Sequence, residues 1–347
     1  MPETQDRQPV GIDSAALLRW LTALHLNPSG ELRFDRIGHG QSNLTYRVQD
    51  QAGQAWIVRR PPPGDLLASA HDVVREARIM SALADTDVPT PKILGVTQDS
   101  EISLAPLVVM EFVDGLVADT MTIVESLDRQ RRRSIAESLA RTLGKVHAVN
   151  LTQARLDNLA SHKPYAARQL KRWTQHWQST QTRPIPALDD LSTRLAGAMP
   201  RQHKICLVHG DYHLRNVILS PTDGHVTGLL DWELSTLGDP LADVGSMLAY
   251  WPQPGEETVG DFAPSTLPGF PDRAEMAKLY FEETGRNPET LEFWHVLGLW
   301  KLAIIAEGVI QRAEAVPTNA TAPGTPTREQ VDSIVAHARD VAAAAGF

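Results

Sequence analysis

"LVHGDYHLRNVILSPTDGHVTGLLDWE", residues 207–233, is the stretch on which the reading of this chain turns. It sets His209, Asp211, His213, Asn216, Asp231 and Glu233 among apolar runs. Polar groups this close to core material cost free energy unless they are paired or bind something. Val217–Leu219 and Val226–Leu230 read as two strands, and the intervening "SPTDGH" carries the turn residues Pro221 and Asp223-Gly224. A hairpin returns the end of its second strand to the start of its first. Asn216, just before the first strand, and Asp231, just after the second, are therefore expected at one spot. An amide oxygen and a carboxylate suit Mg2+, which takes few protein oxygens and completes its shell with water and substrate phosphates. Asp211, on the loop entering the hairpin, is the expected base: it can orient an alcohol and accept its proton.

Working outward, the chain before this segment changes period several times. "DSAALLRWLTALHL" places Leu17, Leu21 and Leu24 at helical spacing behind the capping candidates Asp13 and Ser14. "ELRFDRIG", "LTYRVQD" and "AWIVRR" read as strands, "HDVVREARIMSAL" as a helix, and "PKILGVTQD" and "SLAPLVVMEFVDG" as two further strands. Residues 125–200 and most of the chain beyond 233 read as helices, with loops at 252–272 and 315–327. Arg129–Arg133 reads as a solvated helix start rather than a binding patch.

The 347 residues are long for a single core, and their 42% hydrophobic content is that of an ordinary globular protein. A net charge of −9 argues against a general nucleic-acid binder. One cysteine, Cys206, leaves no internal disulfide and suits a reducing compartment. The polar N-terminus lacks a signal core, and no apolar run reads as long enough to span a bilayer. A cytoplasmic protein without membrane or nucleic-acid partners is expected.

His209-Gly210-Asp211, Asn216 and Asp231-Trp232-Glu233 resemble the catalytic and metal-binding loops of the aminoglycoside phosphotransferase family. "GQSNLTYRV", "IVRRPPPG", "LLDWELSTLGDPLADVG" and "LWKLAIIAEGVIQR" are most similar to the branch that includes the kinase domains of acyl-CoA-dehydrogenase-associated proteins. The resemblance implies an α+β, bilobal protein-kinase-like fold. A small N-terminal mixed β-sheet lobe (1–113) would clamp the nucleotide, and a larger, mainly helical lobe (114–347) would hold the acceptor, with a hinge near 110–116.

It further implies ATP with Mg2+ as cofactor, Asp211 as catalytic base and Asn216 and Asp231 as metal ligands. The sequence leaves GTP open as the nucleotide. Gly38, Gly40, Ser42 and Asn43 would cover the phosphates. Arg59 would take the place of the usual kinase lysine, as Arg can grip phosphate bidentately. Glu76 shares the inward stripe of its helix with Val73 and Met80 and would hold Arg59. Met110 would back the adenine pocket, with the Glu111 carbonyl and Val113 amide facing the purine. Asp243 would anchor the catalytic loop, and Asp239 would cap a helix. The role of His213 stays open.

The partners implied are ATP and a small-molecule hydroxyl acceptor, either a hydroxyacyl compound or an aminoglycoside-like alcohol. The tryptophans Trp173, Trp177, Trp251, Trp294 and Trp300 suggest an apolar acceptor pocket, although core packing is the expectation for at least half of them. Two other classes compete. His209, Asp211 and His213 could ligate the metal of a hydrolase, or the chain could be an inactive nucleotide-binding module. The oligomeric state is not legible.

Overall fold

The computed structural model describes residues 9–37, 43–62, 72–161, 163–202, 204–315 and 324–347. The chain divides into two compact units. The smaller runs up to Asp114 and also takes in Gly228–Glu233; the larger comprises Gly115–Thr227 and Leu234–Phe347. A division into two continuous segments, as expected from sequence, misses this return of six residues to the first unit.

In the smaller unit, α1 (Ser14–Ala23) is followed by β1 (Arg33–Ile37), β2 (Leu44–Gln49) and β3 (Ala55–Arg60). Then come α2 (Val73–Leu83), β4 (Ile93–Thr97) and β5 (Leu107–Glu111). The sheet has the order β1-β2-β3-β5-β4 and every pairing is antiparallel, which corrects the mixed sheet expected from sequence. No parallel crossover is made, because β4 and β5 pair antiparallel and β5 then lies antiparallel to β3. Asp13 caps α1 by accepting from the Ala16 N–H at 2.7 Å. Leu17 and Leu21 of α1 join Val48, Trp56, Val58, Leu107 and Val109 of the sheet in one buried cluster. β3 alternates strictly, with Trp56, Val58 and Arg60 buried and Ile57 and Arg59 on the opposite face.

Arg60 is a guanidinium only 1% exposed. It is satisfied by carbonyls, donating from Nη1 to Val10 and Gly11 and from Nε to Pro61. Nothing in the strand's sequence announces that second, structural arginine.

The larger unit begins with α3 (Met121–Ser126), α4 (Arg129–Ala148), α5 (Tyr165–Thr180) and α6 (Pro186–Gly197). β6 (Cys206–Val208), the hairpin strands β7 (Val217–Leu219) and β8 (Val226–Leu229), and β9 (Thr236–Gly238) follow, β6 pairing with β9 and β7 with β8. The chain ends in α7 (Pro240–Ala249), α8 (Arg273–Thr284), α9 (Leu291–Ala315) and α10 (Arg328–Ala344). α9 corrects the sequence reading: Leu291–Glu314 is long and apolar enough to cross a membrane, with a mean hydropathy of 1.5. Its most apolar stretch is nevertheless 89% buried within the fold, as a core helix is.

Two glycines let α7 pass α9. A Cβ on Gly245 would lie 2.3 Å from the Trp294 carbonyl, and one on Gly298 would lie 2.6 Å from the Gly245 oxygen. Gly245→Ala should therefore force the helices apart and destabilise the protein by about 1–3 kcal/mol, as overpacking does. A lowered urea midpoint with an unchanged slope checks this; an unchanged midpoint would show that the crossing relaxes freely.

Candidate functional site

In the smaller unit, Arg59 stands between two carboxylates. Its Nε lies 3.1 Å from Glu76 Oε2 and its Nη2 2.9 Å from Asp231 Oδ1. Glu76 is 4% exposed, which rules out the alternative that it pairs with Arg75 or Arg78 at the surface. Burial opposes its charge, and two donors answer it: Arg59 and the Trp232 backbone N–H, 3.2 Å from Oε1. Burial also opposes the guanidinium of Arg59, but Glu76, Asp231 and Glu233 outweigh it and hold Arg59 firmly protonated.

Trp232 explains how the returning segment is seated. It is fully buried, and its indole N–H donates to the Leu229 carbonyl at 3.0 Å. The Leu229 N–H donates to Pro89 O, and Arg75 Nη1 to Glu233 O. Asp231 adopts φ +64, a left-handed conformation that Asp tolerates better than most residues.

Of the other nucleotide residues expected from sequence, Gly38, Gly40 and Ser42 lie outside the described residues. Asn43 is buried at the start of β2. Met110, buried in β5, is in register with Ile57 and Ile93. The Glu111 N–H donates to the Lys92 carbonyl at 2.9 Å, and Val113 lies just beyond the strand.

In the larger unit, the loop after β6 carries Asp211. Gly210 adopts φ +87, and a Cβ there would meet the Leu234 oxygen at 2.6 Å, so only glycine fits. Asp243 of α7 fixes this loop: its carboxylate accepts the backbone N–H of His209 at 2.6 Å and of Gly210 at 2.8 Å. Burial pushes the Asp243 carboxyl up, but the hydrogen bond and charge of His147 and the loop amides hold it below the usual range. Asp239 caps α7 through the Leu241 N–H.

His147 Nε2 lies 3.2 Å from Asp243, and its Nδ1 lies 2.8 Å from the Tyr280 hydroxyl. Both ring nitrogens of His147 are thus engaged, one by Asp243 and the other by Tyr280. Sequence reasoning missed both residues. The available hint was a histidine inside the apolar run of α4, which needs a partner if buried.

Asp211 accepts from Asn216 Nδ2 at 3.1 Å, and its Oδ2 lies 3.3 Å from His213 Nε2. Burial works to raise its carboxyl, but His213, then His209 and Lys301, outweigh it and hold it well below the ordinary carboxylate range. Asp211 is therefore ionised at neutral pH. Asn216 Nδ2 also donates to the Asp211 carbonyl at 2.9 Å, and among the described residues no hydrogen bond uses the amide oxygen, an acceptor whose lone pairs can ligate a cation. His213 packs against Tyr250 with ring centroids 4.5 Å apart.

The zinc-hydrolase alternative finds no such centre. His209 Nδ1 accepts from the Asp211 N–H, and among the described residues no three His, Cys, Asp or Glu side chains form a metal-binding group. The apolar pocket of tryptophans is likewise corrected. Trp177, Trp251, Trp294 and Trp300 are at most 2% exposed and Trp173 8%, so they are core residues.

An antiparallel sheet with a clamped cation in one unit and an anchored Asp loop in a helical second unit define the protein-kinase-like class of phosphotransferases. Comparison with known proteins agrees. The chain belongs to the phosphotransferase enzyme family (APH), whose model matches residues 33–279. It is 34% identical to mouse acyl-CoA dehydrogenase family member 10 over 90% of its own length. It spans only 30% of that relative.

A Ralstonia eutropha protein provisionally described as an aminoglycoside phosphotransferase superposes with a TM-score of 0.78 at 29% identity, covering 95% of this chain and 99% of the other. Aminoglycoside phosphotransferase APH(4)-Ia, in complex with AMP-PNP and hygromycin B, has a TM-score of 0.59 at 14% identity. That match covers 92% of this chain and 98% of the other, and it shows the shared fold.

Proposed function

We propose that this chain is a small-molecule kinase that transfers the γ-phosphate of ATP to a hydroxyl group with Mg2+. The observation that carries the reading is Asp211, an ionised carboxylate on a loop whose backbone is held by the buried Asp243. Asp211 is suited to orient the acceptor hydroxyl and take its proton as the new bond forms. Arg59 binds the α- and β-phosphates, and Glu76 keeps its guanidinium in place. Gly38, Gly40, Ser42 and Asn43 cover the phosphates. The backbone at Glu111 and Val113 faces the purine with Met110 behind it.

Each proposed ligand suits Mg2+ by its own chemistry: Asn216 spends its amide nitrogen on Asp211 and has its oxygen for a cation, and Asp231 is a carboxylate. Bound Mg2+ would neutralise charge on the β- and γ-phosphate oxygens. The acceptor is a hydroxyacyl compound or an aminoglycoside-like alcohol. The likeness to mouse acyl-CoA dehydrogenase family member 10 supports the first, and the hygromycin B complex of a relative with the same fold supports the second. The absence of a structural disulfide is in keeping with a cytoplasmic setting.

The test is a metabolite library incubated with labelled ATP, or labelled GTP in parallel, with and without Mg2+. Label should pass to at least one hydroxyl compound only when Mg2+ is present. A protein that binds no nucleotide and labels nothing would sink the proposal.

A further inference from the structure

Arg47 of β2 has no part in the phosphotransferase reading, yet it shares a sheet face with Arg59. Residues in register on neighbouring strands lie on one face. Asp35, Arg47, Ile57 and Met110 form one such row, and Thr45, Arg59 and Val108 form the next. The two rows are one side-chain repeat, about 7 Å, apart along the strands. From Arg59 to Arg47 the step runs toward Glu111, Phe112 and Val113. With the phosphates on Arg59, the row of Arg47 is where the base end of a nucleotide falls.

The direction of the Arg47 side chain is the second observation. Asp35 is the acid directly opposite it on β1, but Asp35 bonds Arg33 of its own strand at 3.0 Å. Arg47 reaches the other way. Its guanidinium carbon lies over the ring of Phe112, 4.8 Å from the centroid. Phe112 follows β5, and β3 stands between β2 and β5, so the side chain crosses β3 on the face that carries Arg59.

Phe112 covers a face of the guanidinium but satisfies none of its N–H groups. Arg47 is half-buried, and its Nε is shut off from water without a hydrogen-bond partner. Among the described residues no acid pairs with it. A planar cation backed by an aromatic ring, with its other face and its N–H edge unused, is suited to stack on a second planar group.

We propose that Arg47, held by Phe112, is the surface on which the nucleotide base packs. It is then a specificity-determining residue that favours purines, whose two fused rings cover more of the guanidinium than a pyrimidine does. The inference rests on the phosphotransferase reading above, because it takes Arg59 as the phosphate end.

The test titrates the whole chain by calorimetry with Mg-ATP and Mg-UTP, which differ only at the base. The wild type should bind ATP roughly tenfold or more tighter than UTP. Arg47→Ala should weaken ATP by about that factor and UTP by less, bringing the ratio toward one. Arg47→Lys keeps the charge and the apolar stem but not the plane, so it should lose most of the ratio too, and it keeps the test decisive if the alanine variant folds poorly. Phe112→Leu should act in the same direction by releasing the guanidinium.

Equal affinities in the wild type, or a ratio unchanged in both Arg47 variants, would overturn the base surface and leave the kinase reading standing. ATP binding that depends on Arg47, with no phosphate passed to any acceptor, would keep the base surface and remove the kinase reading. A wild type that binds neither nucleotide would remove both.

Discussion

Asp211→Asn is expected to cut phosphoryl transfer by at least about 10²-fold, the lower end of what a general base supplies, while Mg-ATP affinity stays within about twofold. The substitution is close to isosteric, and the loop it sits on is held from elsewhere. Asp243 receives the His209 and Gly210 amides, and Asn216 bonds the Asp211 backbone carbonyl as well as its side chain. The geometry should therefore survive, and what disappears is the charge.

In the wild type that charge is present throughout the neutral range, because His213, His209 and Lys301 outweigh the burial that would otherwise favour the protonated acid. The rival candidate for the base is His213, 3.3 Å away. If His213 took the proton, Asp211→Asn would cost little and His213→Gln would carry the large loss. Single-turnover rates and nucleotide titrations on both variants separate the two. A loss below tenfold in Asp211→Asn would remove Asp211 from the base position.

The parts of this molecule that the sequence made legible are those governed by short-range rules. The strands of the sheet, the α1 cap at Asp13, the β7–β8 turn and the Asp239 cap each follow from a period, a turn residue or a capping side chain within a few positions. Glu76 was legible for a similar reason: a carboxylate on an apolar helical stripe must have a partner, and Arg59 is that partner. Other features depend on distant elements and leave no local trace. The Asp243–His147–Tyr280 chain joins three helices, and Arg60 is satisfied by carbonyls about 50 residues earlier in the chain. The return of Gly228–Glu233 to the smaller unit is set by burial of Trp232 and by Glu76, neither of which is encoded in the hairpin itself. α9 misled in the opposite direction, since its composition suits a lipid or a protein interior equally and only its neighbours decide. The tryptophans, for at least half of which core packing is expected, were ambiguous for the same reason. An indole reads alike in a pocket wall and in a core, and here the burial of all five settles the matter.

Asp231→Ala should abolish the dependence of nucleotide binding on Mg2+, and the structure gives this result a second, less obvious part. Asp231 is at once the proposed metal ligand and a direct partner of Arg59, at 2.9 Å. A guanidinium bound to two carboxylates has less of its fork left for phosphate. Removing Asp231 takes one carboxylate away from Arg59, so metal-free ATP should bind at least as well as to the wild type even as the gain from Mg2+ vanishes.

Backbone strain has to be kept apart from this effect. At φ +64, alanine is less comfortable than aspartate, and part of any loss in Asp231→Ala could be structural. Asp231→Asn removes the charge but keeps a residue suited to the left-handed region, so the two variants should agree on Mg2+ dependence while differing in thermal stability. Titrating ATP with and without Mg2+ by calorimetry reads both parts. Wild-type Mg-ATP affinity in the two variants would contradict Asp231 as a ligand. Loss of metal-free ATP binding as well would mean that Asp231 holds Arg59 in a phosphate-binding pose rather than competing for it.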